Sequence, residues 1–164
     1  MSEEKIYKIL DELGIKYKIH HHEAVFTAAE VLEKGCYYPG LNVKNLMVQD
    51  KKTGEIYLVI MEDKRRLDFK EYGNLVGWSN RMKFADNESL MKYLGVEPGN
   101  CSVLGLVNDK KHKLTVVLCC EVANSTGDQL INFHPNVNTA TVSFTVSDMF
   151  KFLKWAGNKI ICEP

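Results

Sequence analysis

No apolar stretch of this chain is longer than a single β-strand. The longest, Leu114–Cys120 (LTVVLCC), is interrupted only by Thr115, whereas a membrane-spanning helix needs about 20 apolar residues. Hydrophobic side chains come in short patches, separated by glycines, turn residues and helix caps. The chain has 164 residues, enough to bury roughly 68–70% of its unfolded surface, so the patches can form a core without a metal or disulfide staple. The opening residues, MSEEKIYKILDELG, begin acidic and hold no continuous apolar segment. They predict no secretory signal and hence a cytoplasmic protein.

Charge and cysteine usage narrow the class further. The 21 basic side chains equal the 21 acidic ones, which argues against a strong non-specific nucleic-acid binder, though not against recognition of one RNA end. The five cysteines (Cys36, Cys101, Cys119, Cys120 and Cys162) form no C-x-x-C pair and read as reduced thiols.

Local signals predict interleaved helices and strands. Ile6, Ile9, Leu10 and Leu13 recur at helical spacing after Ser2, and Gly14 stops the run. Ile15, Tyr17 and Ile19 alternate with polar residues, as in a strand. Thr27 and Glu30 have capping-box spacing, with Phe26 and Val31 placed as a hydrophobic staple. Residues 45–49 and 55–61 predict a hairpin, followed by a helical stretch near 67–72 and a short strand near 81–84. Asp86 caps a helix ended by Gly95. The alternation continues with strands at 103–107, 114–120, 129–133 and 140–146, a helix from Ser147 or Asp148 through Trp155, and a last strand at 159–162. No linker or repeat interrupts residues 1–164, so the expectation is one compact α+β domain, a mixed, largely antiparallel sheet with flanking helices.

The residues that could carry chemistry are few. Within His20-His21-His22 only the first and third share a strand face, and no carboxylate or cysteine lies at familiar ligand spacing, so a solvated strand end is favoured over a metal site. Cys101 with His134 would make a nucleophile and base only if the fold brought them together. Lys51-Lys52, Lys64-Arg65-Arg66 and Lys110-Lys111-Lys113 sit in or beside predicted turns, where solvation explains them, although together they could track an RNA backbone.

Five ordered segments resemble the prolyl-tRNA editing family, the YbaK/ProX type also found inserted in bacterial prolyl-tRNA synthetases. They are His22–Thr27 (HEAVFT), Lys44–Asp50 (KNLMVQD), Gly95–Gly99 (GVEPG), Gly105–Asp109 (GLVND), and Phe133-His134-Pro135 with Asn138. The Lys-Asn pair and the Phe-His-Pro segment are most similar to the branch that deacylates alanyl-tRNA(Pro). The resemblance implies the YbaK/prolyl-tRNA synthetase associated domain fold and hydrolysis of an aminoacyl ester without cofactor, metal or protein nucleophile. It implies Lys44 as the catalytic electrostatic anchor, with Phe26, Thr27, Asn45, Gly99, Ser102 and His134 as substrate-binding positions. The implied partners are the acceptor end of mischarged tRNA(Pro) and prolyl-tRNA synthetase; the sufficient core predicts a monomer or a weakly associating domain. Deacylation of cysteinyl-tRNA(Pro) and a non-catalytic tRNA- or synthetase-binding module stand as alternatives. One position departs from the family pattern: Val103 stands where the glycine loop usually ends in proline, which predicts a less rigid loop.

Overall fold

A computed structural model describes residues 3–164. Helix α1 (Glu3–Glu12) buries Ile6, Ile9 and Leu10, the face that their spacing marks; the expected Ser2 cap lies outside the described residues. Strand β1 (Lys18–His21) starts later than the alternation from Ile15 suggests. Ile15 instead folds back on α1 through its N–H to the Leu10 carbonyl at 3.0 Å. Thr27 Oγ1 caps α2 (Ala28–Glu33) by accepting the Glu30 N–H. The Glu30 carboxylate returns to the Phe26 N–H at 3.0 Å, one residue earlier than a standard capping box. The staple does not form, because Phe26 is 71% exposed.

Strands β2 (Leu41–Asp50) and β3 (Ile56–Glu62) make the expected hairpin, with Lys44 opposite Met61. Gly40, at φ +107°, precedes β2 where any Cβ would collide with the Leu130 carbonyl, so only glycine lets this backbone in. Helix α3 (Phe69–Val76), strand β4 (Met82–Phe84) and helix α4 (Asn87–Leu94) follow, α4 capped by Asp86. The stretch expected as a strand at 103–107 is a 3-10 helix, Val103–Asn108, capped by Ser102. All of Val103–Val107 is buried, so its apolar run carries no one-sided periodicity to tell helix from strand. After β5 (Leu114–Leu118) the apolar run turns into the short helix α5 (Cys120–Ala123), which the sequence did not signal. Strands β6 (Leu130–Phe133) and β7 (Ala140–Thr145), helix α6 (Val146–Ala156) and strand β8 (Ile160–Cys162) complete the chain.

The eight strands form one sheet in the order β1-β7-β6-β2-β3-β5-β8, with β4 added to β2. Pairings β1–β7, β6–β7, β2–β3 and β2–β4 are antiparallel, and β2–β6, β3–β5 and β5–β8 are parallel. The sheet is thus more evenly mixed than its hairpins alone imply, because helix-containing crossovers return β5 and β8 in parallel. Strands β3 and β5 form the centre of the core, with Leu58, Val59, Ile60, Val116, Val117 and Leu118 fully buried.

The cluster Lys64-Arg65-Arg66 is not uniformly a solvated turn. Arg65 reaches across to the chain end and grips the buried Glu163 through two hydrogen bonds, at 2.6 and 2.5 Å. It also meets Glu121 at 3.2 Å and lies over the Tyr72 ring. Arg65 holds the Glu163 carboxyl below its ordinary value. The pairing energy is therefore complete above the ordinary glutamate pKa and is lost as pH falls through the lower folded value. Glu163→Gln should cost about 2–3 kcal/mol at neutral pH, and urea unfolding should show the gap to the wild type closing toward acid pH.

Candidate active site

One edge of β2 is shared by two short strands. β6 pairs with it only at Leu41 and Asn42, and β4 only from Val48 to Asp50. Between them this edge has no strand partner, and a cleft of about 390 Å³ occupies the gap. The parallel register Asn42–Asn132, continued past the end of β6, runs Lys44 toward His134 where the strands part. The cleft is lined by Phe26, Lys44, Asn45, Gly99, Cys101 and His134 among others.

Five of the seven residues singled out in the sequence, Phe26, Lys44, Asn45, Gly99 and His134, therefore face one cavity. Thr27 and Ser102 do not line it. Thr27 is spent on capping α2. Ser102 is fully buried, with its hydroxyl accepting the Leu104 N–H, so it acts on the cleft only through the loop it anchors. Val43, Leu46, Met47, Asp63, Phe84, Ala85 and Leu90 also line the cleft and were not singled out. Asp63 was hidden by its position next to the basic cluster.

Each polar group has a defined state. Lys44 is half-buried; burial pushes its ammonium below the ordinary lysine value, and the Asp63 charge pulls it partly back. His134 Nδ1 lies 3.1 Å from the Ala140 carbonyl. A carbonyl only accepts, so Nδ1 carries the proton and Nε2 is left as an acceptor. Burial lowers the His134 pKa from 6.5, which keeps the ring neutral at pH 7. Cys101 is in the cleft, but burial pushes its thiol up to about 12, so it is not a ready nucleophile. His20 and His22 do share a face, where they meet the Ser143 and Thr141 hydroxyls at 3.2 and 2.9 Å.

The loop carrying Gly99 is fastened from below. Gly99 adopts φ +88° with open space where a Cβ would stand, so its requirement is conformational. Behind it, the Val103 N–H donates to Asn45 Oδ1 at 2.8 Å. The departure from proline at 103 thus supplies a donor that ties the loop to the Lys44-Asn45 segment, contrary to the looser loop expected from valine. Proline would suit the first helical position, and Ser102 at φ −151°, ψ 149° could precede it. It would nonetheless leave the buried Asn45 oxygen unpaired. Val103→Pro should therefore destabilise the protein by about 1 kcal/mol in urea unfolding; an unchanged or higher stability would show that the tie contributes nothing.

A half-buried cation opposite a neutral imidazole, at the bottom of a cleft with aromatic rims, suits stabilisation of negative charge on an ester. Sequence comparison agrees with this class. A model of the aminoacyl-tRNA editing domain matches residues 22–152. The chain is 34% identical over 149 residues to "Prolyl-tRNA editing protein ProX" of Acetoanaerobium sticklandii, covering 91% of this chain and 88% of that protein. It is 30% identical over 150 residues to "Prolyl-tRNA synthetase associated domain-containing protein 1" of Danio rerio, covering 92% and 80%. A crystal structure of a candidate trans-editing enzyme for prolyl tRNA synthetase superposes with a TM-score of 0.71 at 20% identity, covering 99% of this chain and 98% of the other. The chain belongs to the aminoacyl-tRNA editing domain family.

Proposed function

We propose that this protein is a free-standing hydrolase that removes alanine from mischarged alanyl-tRNA(Pro). The observation that carries the reading is Lys44, a half-buried ammonium lining the cleft, the kind of charge that stabilises an ester oxyanion. The prolyl-tRNA editing protein at 34% identity supports tRNA(Pro) as the substrate, and the synthetase-associated relatives support prolyl-tRNA synthetase as a further partner.

The need for such an enzyme is physical. A synthetic pocket made for proline cannot sterically exclude alanine, and each missing methylene is worth only about 1–3 kcal/mol. A second site that admits alanine and rejects proline supplies the remaining discrimination. Phe26 and Phe84, 71% and 55% exposed, offer the cleft rim two flat surfaces on which the terminal bases of the acceptor strand can stack.

In the reaction, water attacks the ester carbonyl and the carbonyl oxygen takes up negative charge. The Lys44 ammonium stabilises that oxygen or the adjacent phosphate. The C–O bond to the terminal ribose then breaks, the ribose oxygen takes a proton, and alanine leaves as the free acid. His134 Nε2 is left as an acceptor at the cleft wall, open to a hydroxyl or amino group of the substrate. Cys101 takes no part, in keeping with its raised pKa.

Lys44→Ala should lower deacylation of alanyl-tRNA(Pro) by about 10²–10³-fold, the loss typical of one electrostatic donor, with stability changed by no more than about 0.5 kcal/mol. Lys44→Arg should recover only part of the activity, because the guanidinium differs in shape and reach. Lys51→Ala and Lys52→Ala, in the exposed hairpin turn, should leave turnover unchanged. Wild-type turnover by Lys44→Ala would remove Lys44 from the mechanism.

A further inference from the structure

A second, smaller cavity of about 60 Å³ borders the main cleft and shares Val43, Asp63 and His134 with it. A single water needs at least about 10–15 Å³ of such space and takes about 30 Å³ at liquid density, so the cavity holds only a few small groups. An alanyl moiety is made of few such groups, and the ring of proline adds two carbons. The walls are polar rather than the apolar surface a sieve for alanine would suggest, and nearly all of their side chains are already committed. The Asn132 amide donates to the Tyr38 and Pro39 carbonyls and to Asn42 Oδ1, and its oxygen accepts the Ser143 hydroxyl. The Thr141 hydroxyl is bonded to His22. Tyr37 donates its hydroxyl to Asp63 Oδ2 at 2.5 Å.

Two side-chain groups remain open at the shared wall: the second oxygen of Asp63 and Nε2 of His134. Both are acceptors. Among the described residues no cation lies within ion-pairing distance of Asp63, since the pairs found involve only Lys34 and Arg65. A recess that offers one anionic and one neutral acceptor and no spare side-chain donor is complementary to a small group with several N–H donors and a positive charge.

We infer that Asp63, oriented by Tyr37, is the specificity residue that binds the α-ammonium of the aminoacyl ester, with His134 Nε2 as the second acceptor. The inference rests on the deacylase reading for its substrate class. It adds that the site selects a free α-amino group, so that esters of hydroxy acids and of N-blocked amino acids are poor ligands. Asp63 also raises the Lys44 pKa, so a role in binding must be separated from a role through Lys44.

The test measures binding with stable amides. Acceptor-stem RNAs ending in 3′-amino-3′-deoxyadenosine are acylated with alanine or with lactate, which replaces the ammonium by a neutral hydroxyl of similar size. At about pH 6, below the ~7.7–8.0 of an ordinary α-amino group, the wild type should bind the alanyl RNA about tenfold or more tightly than the lactyl RNA. Asp63→Asn, which keeps an acceptor for Tyr37, should bring the two affinities together, mainly by weakening the alanyl RNA. Tyr37→Phe should reduce the preference in part. In the wild type the preference should shrink as pH rises and the ammonium loses its proton. A wild type without preference, an Asp63→Asn variant that keeps it, or equal weakening of both RNAs would overturn the inference; equal weakening would mean that Asp63 acts through Lys44 or the fold. If the alanyl amide binds preferentially but the corresponding ester is not hydrolysed, the deacylase reading fails while the Asp63 assignment stands.

Discussion

Strand β2 carries two partners on one edge and is long enough that they do not meet. β6 leaves it after Asn42 and β4 joins it at Val48. The opposite edge is paired with β3 from Val43 to Gln49, so the segment facing the gap is rigid although one side of it is open. A β-strand with an unpaired edge normally invites aggregation. Here the loop with Gly99, the end of β6 and residues before α2 surround it instead. A site placed on a strand whose other edge is continuously paired keeps its side chains within the narrow tolerance that electrostatic stabilisation requires.

The chemistry of the cleft follows from how few charges it contains. Burial raises the free energy of the Lys44 ammonium, and Asp63 recovers only part of that loss. Such a cation gains more from a developing oxyanion than a fully solvated lysine would, because fewer waters compete for it. His134 is held neutral by burial and fixed in one tautomer by the Ala140 carbonyl. The Val103–Asn45 bond adds a link across the cleft floor between the glycine loop and the strand carrying Lys44. That link makes the loss of the usual proline less costly to site geometry than the substitution alone implies.

Local signals in the sequence were sufficient where a structure is decided locally. The Thr27 and Asp86 caps and the β2–β3 turn needed only neighbouring residues, and all are in place. The 3-10 helix at Val103–Asn108 is not legible because all of Val103–Val107 is buried, and the short α5, of which only Val122 is buried, is hidden because it directly continues the apolar run of β5. Phe26 has the spacing to Val31 of a staple, yet its exposed side chain stands at the cleft rim, in line with the pocket-lining position the family resemblance implies. Lys44, Gly99 and His134 are far apart in the chain, and only the family resemblance grouped them. Asp63 escaped notice because its neighbours are Lys64, Arg65 and Arg66, and nothing local reveals that it turns toward Tyr37 while Arg65 turns toward Glu163.

The central claim is that the cleft hydrolyses an aminoacyl ester and sorts it by the size of the amino acid. The most direct measurement is the rate at which the wild-type protein deacylates alanyl-, cysteinyl- and prolyl-tRNA(Pro), assayed side by side at equal concentrations. The account predicts rapid loss of alanine, with prolyl-tRNA(Pro) decaying no faster than in buffer. Faster turnover of cysteinyl-tRNA(Pro) would reassign the substrate within the same chemistry. Hydrolysis of prolyl-tRNA(Pro) as fast as alanyl-tRNA(Pro), or of none of the three, would contradict the account.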